Sequence, residues 1–289
     1  MNNCTVHPNA DMALRDLLHN IMTYGEDSSP RSKPSTELIG NSVAFDMRFP
    51  LVAARARRLG YRFAPAEAAW ILSGDNRVAT IKQYSPFIWE FSDDGFFYSG
   101  AYGPKIVDQL TYVCDVLADD MFTRQAVIDV WRPNPRAGRD LPCTLSFQFL
   151  MRNDRLHVVQ SMRSSDAWLG YPYDAFNASM LAGYVMLLLR DRKVKNLRIS
   201  ELGSHTMVIG SSHLYRKDHE SATVLLAAGS DSLFDAPAFD PLEFASPQAL
   251  VDHLWDLAAG KYFSNLVELR PLYLTAELSR LIPSSTSAK

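Results

Sequence analysis

Residues 141–189 read LPCTLSFQFLMRNDRLHVVQSMRSSDAWLGYPYDAFNASMLAGYVMLLL. The local pattern changes twice inside this stretch. TLSFQFLM and LHVVQSM are short segments rich in strand formers, and RNDR between them is turn chemistry, so the pair predicts a hairpin. From Asp174 onward, DAFNASMLAGYVMLLL is long and apolar enough for a buried helix. If the two strands pair, Arg163 comes to lie beside Cys143. Asp174 follows a Gly-x-Pro turn, where the ordinary reading of an aspartate is a helix N-cap.

Outward from there, the chain alternates the same two periods. NADMALRDLLHNIMTYG spaces Leu14, Leu17, Leu18, Ile21 and Met22 along one helical face and ends at Gly25. EDSSPRSKPSTE reads as a polar loop carrying Arg31 and Lys33. LIGNSVAFDMRFPLV predicts a strand ending near Pro50, and APAEAAWILSGD a helix that begins after Pro65 and carries Glu67. SPFIWEFSDDGFFYSGAYGP is aromatic and Gly-rich, an irregular loop. KIVDQLTYVCDVLADD predicts a helix, with Cys114 in the core. QAVIDVW adds a strand and NLRISELGSHTMVIGSSHLY further strands. SPQALVDHLWDLAAG predicts a helix with Ser246 near its cap. Without repeat or linker, residues 1–289 read as a single α+β domain, one large sheet covered by helices.

Composition narrows the function classes. At 289 residues and 47% hydrophobic, the chain has material for a large core. A net charge of −3 argues against a surface that coats nucleic acid. No run of 18 apolar residues predicts a membrane span. MNNCTVHPNADM has neither the basic start nor the apolar stretch of a signal peptide. Cys4, Cys114 and Cys143 are far apart, which fits a reducing, cytoplasmic setting without disulfides. No metal is expected, because no ligand spacing occurs, and neither phosphate-loop glycines nor GxSxG are present.

Three positions stand out as residues. Cys143 is either a small buried hydrophobe or a nucleophile, and the second needs a nearby cation. Glu67 is either a solvated first-turn acid or a general base in a pocket. His213 and Tyr215 alternate in SSHLY and so share one face of a strand, where they could hold a sugar hydroxyl.

Read together, FPLV, EAAWILSGD, AYGPKI, DVW, DLPC, QSMRSSDAWLGYPY and SSHLY resemble the thymidylate synthase superfamily in order and spacing, over residues 10–225. The branch most similar is that of deoxycytidylate and cytidylate 5-hydroxymethylases. The resemblance implies a homodimer acting on a pyrimidine nucleoside monophosphate with 5,10-methylenetetrahydrofolate, and no nucleic-acid or membrane partner. It implies Cys143 as the nucleophile that adds to C6, Glu67 as the acid that organises water and proton transfers, and Tyr102 in proton removal at C5. Arg31, Arg163 and Ser164 match phosphate ligands. Arg124 matches an arginine donated across the dimer interface, and Gln125 replaces its usual companion. Asp166 and Trp89 match folate contacts, and His213 and Tyr215 the pair that grips the ribose.

Three departures matter. Thr144 stands where the family has His, and the ending LIPSSTSAK is unlike the family's tail. Asp174 stands where thymidylate synthase has the Asn that reads uracil. Cytosine offers an acceptor at N3 and a donor at its 4-amino group, which a carboxylic acid matches. An ionised Asp would instead face uracil O4 without a donor, and unmatched buried polar groups cost about 1–3 kcal/mol. The implied product is therefore a 5-hydroxymethylcytidine monophosphate, with water completing the reaction. The alternatives are a methyltransferase on the same nucleotide, a thymidylate synthase in which Asn177 is the reader, and a non-catalytic nucleotide- or RNA-binding member.

Overall fold

In the computed structural model the described residues are 5–52, 54, 57, 59–85, 87–133, 135, 138–192, 199–228 and 238–261. Cys4 and LIPSSTSAK lie outside them. Strand β1 (Val6–His7) leads to helix α1 (Ala10–Tyr24), which starts where Asn9 Oδ1 accepts from Met12 N at 2.8 Å and stops at Gly25. Leu14, Leu17, Leu18 and Ile21 are buried, as their spacing requires of a face packed on a sheet.

The segment expected to be a loop is partly a hairpin. Strand β2 (Glu26–Ser28) pairs antiparallel with the start of β3 (Ser35–Asp46), and the turn Pro30–Ser32 holds Arg31 and Ser32 at φ of 53° and 59°. Its residues are polar on both sides, so no alternation announces it. Helix α2 (Phe63–Leu72) starts before Pro65, not after it. The proline takes the third helical position, where the missing N–H has no intrahelical partner to lose. A short α3 (Val78–Ile81) and α4 (Gly103–Asp119) follow, and α4 buries Ile106, Leu110, Val113, Leu117 and Cys114.

Strand β4 is only Val127–Asp129. Strands β5 (Thr144–Arg152) and β6 (Arg155–Asp166) form the expected hairpin. Asn153 and Asp154 turn it at φ of 53° and 59°, left-handed at both positions, which matches the twist of the flanking strands. The register runs from Arg152↔Arg155 to Thr144↔Met162, with a bulge between Thr144 and Ser146.

Helix α5 (Tyr171–Asp191) begins three residues before Asp174, because Pro172 is accommodated in its first turn. Asp174 is therefore not the N-cap: Gly170 holds that position and has no side chain to cap with. In place of several strands, β7 (Glu201–Tyr215) is one continuous strand, parallel to β6 and antiparallel to β3. The sheet order is β1-β3-β7-β6-β5-β4, with β2 beside β3. Helices α6 (His219–Ala227) and α7 (Pro247–Ala259) complete the cover, and Ser246 caps α7 by accepting from Ala249 N at 3.1 Å. α1 lies on β3 and β7, α5 lies on β6 and β7, and α2 touches both α5 and α7. This is the mixed α+β sheet fold. No helix among the described residues is long and apolar enough to cross a membrane.

Helix α5 is buried nearly all round, and Phe176 in its second turn has no exposed surface. Phe176→Ala is expected to destabilise the protein by about 3–5 kcal/mol in urea or guanidinium unfolding, the range for deleting a buried aromatic.

Candidate active site

The β5–β6 hairpin builds one wall of the site. Arg163 N donates to the Cys143 carbonyl at 2.8 Å, which fixes the two residues side by side. The Arg163 guanidinium is strapped to the strand opposite: Nε donates to Pro142 O at 2.9 Å and Nη2 to Leu141 O at 3.1 Å. From there Nη2 lies 3.7 Å from Cys143 Sγ, and Ser164 Oγ lies 3.8 Å from it. The bulge after Thr144 is the kind of irregularity that re-aims a side chain at a strand end.

Burial pushes the Cys143 thiol up, and the Asp174 carboxyl pushes it further the same way. Arg163, the Ser164 hydroxyl and Arg31 pull it down. Arg31, on its left-handed turn, is thus electrically part of this site. Thr144 is completely buried; its N–H donates to the Tyr102 hydroxyl at 3.1 Å and its Oγ1 accepts from Gln160 Nε2 at 2.7 Å. Thr144 therefore tightens the wall and does not open it to solvent.

Two helices bring the acids. Glu67 sits in the second turn of α2, so the first-turn, solvated reading does not hold. Burial drives its pKa up to about 7, against a hydrogen bond from Asn177 Nδ2 to Oε2 at 2.8 Å. Asp174, one turn into α5, is raised well above the usual carboxylate range by burial, then by the charges of Glu67 and Asp166. Its carboxyl leans back over Gly170, where a Cβ would lie 3.5 Å from Oδ2. No hydrogen-bond partner for that carboxyl is found among the described residues, although Asp174 is enclosed and only partly reached by solvent. Tyr102 is raised by burial, then by Asp174 and Cys143, so its hydroxyl lies between the acid wall and the thiol wall. Two carboxyls and a phenol whose pKa values are all pushed up by burial make this a candidate proton-handling site.

The sheet register sets the remaining positions. Asp166 is opposite His213 in the β6–β7 pairing, and Ser164 is opposite Ser211. His213 and Tyr215 do share a face, their rings meeting edge-on with centroids 5.2 Å apart. Asp166 Oδ1 accepts from the N–H groups of Trp168 and Leu169, both at 2.9 Å, which shapes the turn into α5. Trp89 is 56% exposed, beside the exposed Phe87 and Phe91, on a turn tied to the residues before Cys143. The ties are Arg139 Nη2 to Ser92 O at 2.8 Å, Arg139 N to Asp93 Oδ1 at 3.1 Å and Gly100 N to Asp140 Oδ2 at 2.8 Å. Arg124 is not gathered with the others: it stands exposed between α4 and β4, its carbonyl accepting from Gln148 Nε2 at 2.8 Å. One participant went unread as such in the sequence, Asn177 as the partner of Glu67. Its spacing of three residues from Asp174, which puts both on one helix face, was the available signal.

The family model described as thymidylate synthase matches residues 13–234.

Arg163 is the cation nearest the thiol, so its removal should favour the protonated form. Arg163→Ala is expected to slow alkylation of Cys143 by iodoacetamide and to move its pH midpoint upward, followed by mass spectrometry of the modified peptide. Cys114, fully buried with a pKa near 11, should stay unmodified in both proteins. An unchanged midpoint would show that Arg163 does not support the thiolate.

Proposed function

The chain belongs to the thymidylate synthase family, and from that premise we propose that it hydroxymethylates C5 of a cytidine monophosphate. Folate-dependent one-carbon transfer to a nucleotide is the chemistry of the family. The observation that carries the finer reading is Asp174: a carboxyl one turn into α5, with no hydrogen-bond partner among the described residues, whose pKa burial pushes well up.

A neutral acid donates its O–H to cytosine N3 and accepts from the 4-amino group. The protonated form that burial favours also bears on uracil. Turned end for end, a neutral acid also meets N3–H and O4 of uracil. The preference then rests on basicity. Cytosine N3 is a ring nitrogen with an available lone pair, whereas uracil O4 is a weakly basic carbonyl oxygen, so the acid proton binds N3 more strongly. A proton drawn toward N3 also withdraws electrons from the ring and favours attack at C6. Asn177, the alternative reader, already gives an amide N–H to Glu67.

In this reading the Cys143 thiolate adds to C6 of the pyrimidine, the electron pair of the C5–C6 double bond moves to C5, and the thiolate leaves C6 again when that double bond re-forms. Arg163 and Ser164, with Arg31, hold the 5′-phosphate, and His213 and Tyr215 hold the sugar. Tyr102 handles the proton lost from C5. Glu67, poised near neutrality, orients the water that becomes the new hydroxyl and takes its proton. The exposed Trp89 with Phe87 and Phe91 suits a flat ring system, and Asp166 keeps Oδ2 free of protein hydrogen bonds among the described residues. These residues would hold 5,10-methylenetetrahydrofolate, which supplies a one-carbon unit when bound. We place the whole chain in one domain and two chains in the working unit, with Arg124 serving the partner's phosphate. The exposed Ile39 of β3 and Val208 of β7 leave apolar sheet surface for that contact.

The deciding experiment offers dCMP, CMP, dUMP and UMP with methylenetetrahydrofolate in heavy-oxygen water. Product mass and folate state are read for wild type and Asp174→Asn. Wild type is expected to convert a cytidylate to a hydroxymethylated product carrying the label, leaving tetrahydrofolate. Asp174→Asn should lose cytidylate turnover roughly tenfold or more, because an amide N–H offers N3 a far less acidic proton than a carboxyl O–H, and gain on uridylates. A methylated product with dihydrofolate would replace this reading with a methyltransferase. The shared site has its own test: mixing inactive Arg124→Ala with inactive Cys143→Ala should restore part of the activity, and no recovery despite subunit exchange would refute it.

A further inference from the structure

Among the described residues Glu67 has one hydrogen-bonding side chain beside it, and that side chain is not one the reaction itself requires. Asn177 lies on α5 one turn beyond Asp174, and α5 packs on α2, which carries Glu67. Its Nδ2 donates to Glu67 Oε2 at 2.8 Å, while the other end of the same amide, Oδ1, is buried without a partner among the described residues. We propose that Asn177 is the positioning residue of Glu67, and that its amide serves both protonation states of that carboxyl.

The chemistry requires such a partner. An ionised carboxylate only accepts, so it needs an N–H. A protonated carboxyl has an O–H to give, so it needs an acceptor oxygen. An asparagine offers both on one rigid group, exchanged by a half-turn of the amide about its Cβ–Cγ bond. An aspartate in its place would set two acceptors and two like charges together, and an aliphatic residue would leave Glu67 with nothing. A group that takes and returns a proton in each cycle benefits from a neighbour that is satisfied in both states. The unpartnered Oδ1 is the acceptor kept for the protonated state.

After burial, Asn177 is the side chain that acts on Glu67 among the described residues. Asp174 and Tyr173, both from α5, feel the charge of Glu67. Helices α3, α4 and α7 also pack on α2, and among the described residues they present no charged group that shifts it. Burial raises Glu67 to about 7, and the Asn177 bond works in the opposite direction. Loss of the donated hydrogen bond therefore disfavours the ionised form and raises the midpoint.

The inference rests on the reading of Glu67 as the proton-handling acid, but its test does not need turnover. Protein labelled with 13C at glutamate carboxyls is titrated by NMR without ligand, and Glu67→Gln identifies the Glu67 signal. Asn177→Leu is expected to move the Glu67 midpoint to higher pH. In turnover, the acid limb of the pH–rate profile should move with it, with kcat at neutral pH down severalfold and KM for the nucleotide changed less than twofold. Asn177→Ala, which only removes atoms and suits a helix, serves as the second variant should leucine prevent folding. Asn177→Ser, keeping a donor and an acceptor, should return the midpoint toward wild type. A Glu67 midpoint that stays in place in folded Asn177→Leu or Asn177→Ala overturns the proposal, even if the cytidylate product is found. A shifted midpoint with no cytidylate turnover leaves the inference standing and removes the substrate reading instead.

Discussion

Burial of two carboxyls at the contact between α5 and α2 constrains the whole site. A charged carboxylate in that setting loses the solvation it has in water, and two of them near each other repel. Burial pushes both pKa values up, that of Asp174 well up and that of Glu67 to about 7, and Glu67 accepts an N–H from Asn177. Both helices must hold still for this to work. Helix α5 does so because it is apolar on nearly every side, and α2 because Ala64, Ala66, Ala68 and Ala69 allow close packing against its neighbours. The polar chemistry is therefore carried on two of the most deeply packed helices of the fold.

Strand β6 carries the complementary constraint. Its hairpin with β5 sets Arg163 against Cys143, its parallel pairing with β7 sets Asp166 opposite His213, and its end leads through the Asp166 turn into α5. A slip of one residue in either pairing would turn these side chains to the opposite face. The left-handed Asn153–Asp154 turn and the bulge after Thr144 pin one side of that register, and the long pairing with β7 pins the other. Cys143, Arg163, Asp166 and the His213–Tyr215 ring pair thus depend on one register choice.

Much of this was legible in the chain. The apolar spacing of α1 and α4, the RNDR turn, the Ser246 cap and the hairpin between Cys143 and Arg163 follow from local rules. What escaped did so for physical reasons. The polar β2–β3 hairpin has no buried face to impose a pattern. Pro65 and Pro172 looked like boundaries, yet the first helical turn tolerates proline. Asp174 looked like a cap because composition at a helix start does not distinguish the cap from the fourth helical position. Thr144 stood out only as a departure from the family pattern, because its partner Gln160 lies on the neighbouring strand and not nearby in the chain.

The sequence by itself determined the secondary structure over its periodic stretches, the α+β class and the set of chemically capable residues, because propensity, turn chemistry and spacing act over a few neighbours. Only the tertiary structure decided the protonation of that set. Whether a carboxyl is charged depends on how much protein surrounds it and which groups from distant segments face it, and neither Glu67 nor Asp174 has its decisive neighbours nearby in the chain. Asn177 is 110 residues from Glu67 in sequence and 2.8 Å away in space. That separation is why Asn177 read as a candidate for the base edge in the sequence and stands in the fold as the partner of an acid.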